Sequence, residues 1–236
     1  MHRRPALAAL APIALIVPTA LAQGPLPPPI APPEHPTTAE KVVLGKMLFW
    51  DEQLSSDGTM ACGTCHQPSA GGADPRLTQA AAHPGPDGLI GTQDDLFGSP
   101  GMHRSNAFGH YVDDATFGFG VRATDRNTPS MIAAAYFPEL FWDGRASGAF
   151  VDPVGGGVVI PAGAALESQS LEPVLSDVEM AWEERGWDGV TARLAEAVPM
   201  ALAGTLTADM TAALAVDPTY PDLFEAAFGS DAITPL

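Results

Sequence analysis

Apolar residues along this chain occur in three kinds of run. The first covers residues 1–22 (MHRRPALAALAPIALIVPTALA). It opens on Arg3 and Arg4, continues as an apolar stretch interrupted by Pro12 and Pro18, and closes on Ala20-Leu21-Ala22. A basic start, an apolar middle and an A-x-A-like end predict an export signal cleaved near Ala22-Gln23, with an uncleaved anchor as the alternative. No later stretch reaches the roughly 20 apolar residues needed to span a bilayer. Residues 23–36 follow, and their seven prolines (GPLPPPIAPPEHP) predict an extended, semi-rigid spacer.

The second kind of run has helical spacing. Thr37-x-x-Glu40 fits a capping box, and Val43, Leu44, Met47 and Leu48 follow on one face, so a helix is predicted to about Trp50. Ser55, Ser56, Asp57 and Gly58 read as a loop, and Cys62 to His66 as a short helix. Thr128-Pro129 sets an N-cap with proline at the first helical position and predicts a helix through Ala135. Phe141 to Arg145 reads as a turn. Ser176-x-x-Glu179 offers a second capping box, Asp188 a cap for a helix through about Ala197, and Asp222–Phe228 a last helix.

The third kind of run has no period. Residues 67–127 are polar and rich in Gly and Pro, and residues 152–168 form another glycine-rich loop. A loop as long as the first is usually functional or wraps around something. No strand signal stands out, and no repeat. The pattern predicts a mostly α domain over residues 37–236, built of short helices and long irregular loops.

Charge narrows the partners. Eleven Lys and Arg stand against 28 Asp and Glu, a formal charge of -17, and removal of Arg3 and Arg4 with the signal makes the chain more acidic still. Such a field repels nucleic acid and anionic membranes and suits a basic protein partner. At 46% hydrophobic the chain can bury a core, yet 24 Gly, 24 Pro and only 7% aromatic residues imply that protein alone does not fill the middle.

Both cysteines lie in Cys62-Gly63-Thr64-Cys65-His66. A redox dithiol would need a thioredoxin-like context, which is missing. Structural zinc would need two further ligands at finger-like spacing. Covalent c-type haem needs two thiols and a histidine next to the second, and export supports it. A plain disulfide is the alternative. Acids of the His83–Asp95 loop could bind calcium, although their spacing is not that of an EF-hand and a solvated loop is the simpler reading.

Leu44 to Asp51, CGTCH, Arg126-Asn127-Thr128-Pro129-Ser130, Phe141-Trp142-Asp143-Gly144-Arg145-Ala146, Glu172-Pro173-Val174 and Val178-Glu179-Met180 occur in that order. Over roughly residues 37–230 the chain resembles the N-terminal, peroxidatic haem domain of bacterial di-haem cytochrome c peroxidases, and with them the di-haem methylamine-utilisation oxidase. The resemblance implies a cytochrome c-like haem domain in which Cys62 and Cys65 hold one covalent haem and His66 ligates its iron. Glu179 matches a distal carboxylate that moves a proton between the peroxide oxygens, Gln169 a pocket glutamine, and Trp142 a tryptophan on the electron path. Asn127 matches a residue of a calcium site. Simpler readings stand beside these: Glu179 as a capping residue, Trp142 as packing, Asn127 as a turn residue, and Arg145 in an ion pair or on a haem propionate.

The implied activity is reduction of hydrogen peroxide with electrons from a donor cytochrome or cupredoxin-like protein, in the periplasm or otherwise outside the cytoplasm, with a homodimer as candidate assembly. The chain departs from the family at two points. The position of the distal histidine falls near Phe119, so the distal site is expected to be open, with His83, His103 and His110 as alternative ligands. The second CxxCH domain is also missing before Leu236, so a fragment or split gene is expected. The rival readings are a single-haem electron carrier with Met102 or Met131 as sixth ligand, and a fragment of a di-haem oxidase that acts on a protein substrate.

Overall fold

In a computed structural model of the chain, residues 26–76 and 83–236 are described. The export signal and its cleavage site lie outside them. Helix α1 (Ala39–Trp50) starts from Thr38, whose hydroxyl accepts the Lys41 N–H at 3.2 Å; the capping residue is Thr38 and not Thr37. Glu40 in its first turn is held below the usual carboxylate range by backbone N–H groups and the Thr38 hydroxyl, as an acid at a helix N-terminus should be. Leu44 and Met47 face inward. A short 3-10 turn (Glu52–Leu54) then leads to α2 (Cys62–Cys65), a single helical turn.

The long polar stretch after α2 contains strands that its sequence does not announce. Strand β1 (Pro100–His103) pairs antiparallel with β2 (Val121–Ala123), and β3 (Phe150–Val151) with β4 (Val158–Ile160). Each is two to four residues long and irregular in register, too short to display the period-two alternation that marks a strand. Helices α3 (Ala165–Ser170), α4 (Trp187–Glu196), α5 (Ala208–Leu214) and α6 (Tyr220–Phe228) complete the order. Among the described residues no helix is long and apolar enough to cross a membrane.

Four further helix starts differ from expectation. Residues 128–131 form no helix and only Ala134–Tyr136 forms a 3-10 turn, because the Thr128 hydroxyl bonds to Ser99 Oγ at 2.6 Å and does not cap. Ser176 begins one turn and no helix: its carbonyl accepts the N–H groups of Glu179, Met180 and Ala181. Helix α4 is capped by Gly186, with Asp188 inside its first turn. The last helix also starts earlier, at Tyr220, with Thr219 and Asp222 forming a reciprocal capping box.

The main core joins α1, α4, α5 and α6 through Leu44, Met47, Val190, Leu194, Met210, Leu223 and Phe224. Met60, Met102 and Met180, from the loops and β1, fill the same core. Methionine is suited to such irregular gaps. The proline-rich segment runs along this body: Pro32 is buried, Tyr136 donates to the Pro27 carbonyl at 2.6 Å, and the His35 ring stacks on Phe228.

One buried polar node ties the ends of the domain together. Asp51, 2% exposed, caps the 3-10 turn through Gln53 N–H at 2.9 Å and accepts from Met200 N–H at 2.7 Å and the Tyr220 hydroxyl at 2.6 Å. Burial and the neighbouring carboxylate push the Tyr220 hydroxyl well above its usual range, so it remains a donor. Tyr220→Phe removes one donor from a buried carboxylate and is expected to cost about 1.5–3 kcal/mol, the range for a hydrogen bond to a charged group. Denaturant unfolding at pH 7 measures it; a loss below about 0.5 kcal/mol would show that Asp51 is satisfied without the hydroxyl.

Candidate active site

Helix α2 is one turn long, so its neighbours must hold it. The buried Ser55 hydroxyl accepts the Thr59 and Met60 N–H groups, both at 3.1 Å, and sets the approach to Cys62. The Thr64 hydroxyl accepts from Ala61 N–H at 3.0 Å, and His66 N–H closes the turn on the Cys62 carbonyl at 2.9 Å. Trp50, at the end of α1, packs on Gly63 so closely that a Cβ there would fall inside the indole. Glycine is therefore required at this position for packing.

The two cysteines are free thiols on this turn. Burial raises Cys62 to about 11, helped by Cys65 and by the charge of Glu179. Burial likewise raises Cys65 to about 11, with Asp74 and Glu179 adding to it and Arg76 opposing. Arg76 Nη2 lies 3.2 Å from the Cys65 sulfur, 2.8 Å from the buried Asp74 carboxylate and 2.9 Å from the Pro100 carbonyl. Nothing in the sequence pattern marks this Asp74–Arg76 pair except a D-x-R triplet nine residues after the second thiol.

His66 is oriented by one carbonyl. Its Nδ1 lies 3.2 Å from the Gly72 oxygen, which also accepts Met131 N–H at 3.1 Å. Ser130 Oγ donates to the Gly71 carbonyl at 2.6 Å. Ser130 and Met131, about sixty-five positions downstream, thus brace the loop behind the imidazole. Fixing Nδ1 in this way leaves Nε2 for a metal, the usual support of a ligating histidine. Two thiols and an anchored imidazole within one turn are the donor set a covalent haem requires. Zinc is not served: among the described residues no group of three or more His, Cys, Asp or Glu is placed to hold a metal ion.

Glu179 lies in the Ser176–Ala181 turn, not at the start of a helix, so capping does not explain it. Its carboxyl is largely withdrawn from water and is pushed up by burial and then by the charge of Glu172, with Arg145 opposing. Its charge adds to the rise of both Cys62 and Cys65. Gln169 is half-buried on α3, where its backbone carbonyl accepts Glu172 N–H at 3.2 Å; among the described residues no side-chain hydrogen bond joins it to Glu179.

Trp142 is 75% exposed, with the Arg126 guanidinium 4.7 Å from its ring centre. Its turn contains Phe141 at φ +66°, an unfavourable conformation for a bulky residue, held by the Arg145 guanidinium 3.4 Å over the ring and by the Leu140–Ala146 bridge. Arg145 also pairs with Asp143 at 3.0 Å and Glu172 at 3.8 Å. Asn127 is exposed. In the His83–Asp95 loop, Asp94 accepts from Asp87 N–H and the Thr92 hydroxyl, and Asp95 from Gly91 N–H.

His103 Nδ1 bonds to the Phe119 carbonyl at 2.8 Å and its ring stacks on Tyr111, while the His83 ring abuts Phe117 and that of His110 lies near Phe108. Met102 is fully buried in the core, and Met131 carries its backbone onto the loop behind His66.

Paired thiols and a braced imidazole are the groups to which a c-type haem would attach. The family model for di-haem cytochrome c peroxidases matches residues 39–235, and the chain belongs to that family. It is 35% identical over 121 residues to cytochrome-c peroxidase IdrP1 of Denitromonas iodatirespirans, covering 51% of this chain and 22% of that protein. It is 28% identical over 235 residues to the methylamine utilization protein MauG of Paracoccus denitrificans, covering 94% of this chain and 41% of that protein. A crystal structure of a MauG-like protein associated with microbial copper homeostasis aligns with 24% identity and a TM-score of 0.42, over 86% of this chain and 38% of the other. The chain spans well under half the length of the curated relatives it matches.

The charges around Glu179 make a signed prediction. Glu172→Gln removes a charge that raises the Glu179 pKa and is expected to lower it; Arg145→Gln removes a charge that lowers it and is expected to raise it. Infrared titration of the carboxyl band that Glu179→Gln abolishes reads both. Shifts of the same sign in the two variants would show that these charges do not act on Glu179.

Proposed function

We propose that this domain is the catalytic part of a haem peroxidase that reduces hydrogen peroxide to water, taking two electrons from a c-type cytochrome or cupredoxin-like donor and two protons. The observation that carries the reading is a half-buried carboxyl, Glu179, whose pKa burial raises and whose charge in turn raises both thiols of CGTCH. Attached through Cys62 and Cys65 and ligated by His66, a haem would supply the redox-active iron that peroxide reduction requires.

Glu179 serves as general base toward one peroxide oxygen and returns the proton to the other as general acid. An elevated pKa suits a group that must do both. Gln169 orients the peroxide from α3, and Trp142, exposed on its turn, offers the entry point for electrons. The acidic surface steers a basic donor at low salt. Asn127 is assigned to calcium binding on the family resemblance alone, and the pattern of residues 1–22 supports work outside the cytoplasm.

Glu179→Gln keeps the shape of the side chain and removes its proton chemistry. Turnover with peroxide is expected to fall by about 10²-fold or more while the haem absorption spectrum stays that of the parent. Parental turnover in this variant would remove Glu179 from the reaction. With phenylalanine and not histidine at position 119, the oxidised haem-loaded protein is expected to show a high-spin ferric paramagnetic resonance signal. A purely low-spin bis-histidine signal would contradict an open distal site.

A further inference from the structure

A one-turn segment has little rigidity of its own, yet Glu179 must sit at a fixed place for the proton transfer proposed above. The carbonyls of its turn are taken up by donors from three other parts of the chain. Asp177 O accepts from Arg122 Nη2, and the Asp177 carboxylate from Arg122 Nη1 at 3.0 Å. Val178 O accepts from Met102 N–H at 2.8 Å. Met180 O accepts from Ser56 N–H at 2.9 Å, Ser56 Oγ at 3.1 Å and Arg185 Nη1 at 3.4 Å.

The arginines are unusual. Each is 4% exposed, and each keeps a buried Nε–H without a partner among the described residues. Arg185 bonds there to no carboxylate: it reaches the carbonyls of Leu54 at 2.9 Å, Val174 and Met180 at 3.4 Å and Gly189 at 3.5 Å. A buried cation held by carbonyls and by the Trp182 ring, 5.1 Å from its guanidinium carbon, is costly to desolvate compared with an apolar side chain of similar size. Burial accordingly pushes Arg185 down to about 10. What Arg122 and Arg185 share is the Glu179 turn. Strand β1 adds a steric stop, since a Cβ at Gly101 would collide with the Val178 carbonyl.

We propose that Arg122 and Arg185 are positioning residues that clamp the Glu179 turn at its two ends, Arg122 and Gly101 from the β1–β2 pair and Arg185 from the start of α4. Because Arg185 also holds the Leu54 carbonyl, next to the Ser55 hydroxyl that sets the approach to Cys62, the clamp fixes the carboxyl relative to the haem-bearing turn. The proposal rests on the reading of Glu179 as the proton carrier.

The test uses the haem-loaded full chain and four variants, Arg122→Gln, Arg122→Lys, Gly101→Ala and Glu179→Gln. Each is read by kcat, by KM for peroxide and by the infrared band of the Glu179 carboxyl in mildly acid buffer. Arg122→Gln and Gly101→Ala are expected to lower kcat at least about tenfold with KM within about twofold, the pattern of a misplaced catalytic group. The carboxyl band should move toward that of a water-exposed acid, and Arg122→Lys should recover part of both changes. An unmoved band with kcat within about twofold of the parent in both variants, alongside an inactive Glu179→Gln, would overturn the clamp and leave the peroxidase reading intact. An active Glu179→Gln would remove the proton-carrier reading, while the band shift would still decide whether Arg122 and Gly101 hold the turn. Should Arg122→Gln fail to fold, Gly101→Ala, which removes no charge, separates the same two outcomes.

Discussion

The carbonyl of Gly72 is where the local chemistry and the global fold meet. It accepts the His66 imidazole and the Met131 amide together, so the ring that would ligate iron is aimed by a loop that is itself fixed by the segment following RNTPS. A carbonyl oxygen has two lone pairs and can satisfy both donors. Without that second bond the loop after CGTCH would lose a tie to the rest of the chain and depend more on its own turns. The motif of five residues is thus dependent on a segment far downstream, and the intervening stretch must return to meet it.

The same borrowed rigidity recurs on the other side of the α2 turn. Ser55, Thr64 and Trp50 fix the thiols, and the Glu179 turn is held through its carbonyls by groups from β1, β2 and the start of α4. Short elements with few hydrogen bonds of their own are stable here because buried polar groups cross between them. The Asp51–Tyr220–Met200 node does this for the helices. A half-buried carboxyl placed in such a frame, as Glu179 is, has its pKa raised because burial disfavours the charged form.

Much of the helical frame is legible in the chain. The spacing of Leu44, Met47 and Leu48 locates α1, and the last helix is read from Asp222, although the Thr219–Asp222 capping box starts it at Tyr220. CGTCH and the order of the later motifs point to the family. What escapes the sequence is governed by tertiary partners. Thr128-Pro129 carries a helix-start signal, yet Ser99 captures the hydroxyl that would have capped it. Ser176-x-x-Glu179 resembles a capping box, yet the carbonyls of the turn are drawn to Arg122, Met102 and Ser56 and no helix follows. Strands of two to four residues leave no periodic trace. Asp74, Arg76, Arg122 and Arg185 stand in loops or short strands where nothing in the spacing marks them as partners.

The chemistry described here depends throughout on a haem joined to Cys62 and Cys65 with His66 beneath it. Intact-mass spectrometry of the chain produced in a host able to mature c-type cytochromes tests this directly, together with fragmentation of the peptide that spans Cys62 to His66. The predicted result is a polypeptide heavier by one haem, with the added mass on that peptide and lost in a Cys62→Ala, Cys65→Ala double variant. A chain of polypeptide mass alone, with both thiols free to alkylate once unfolded, would contradict it.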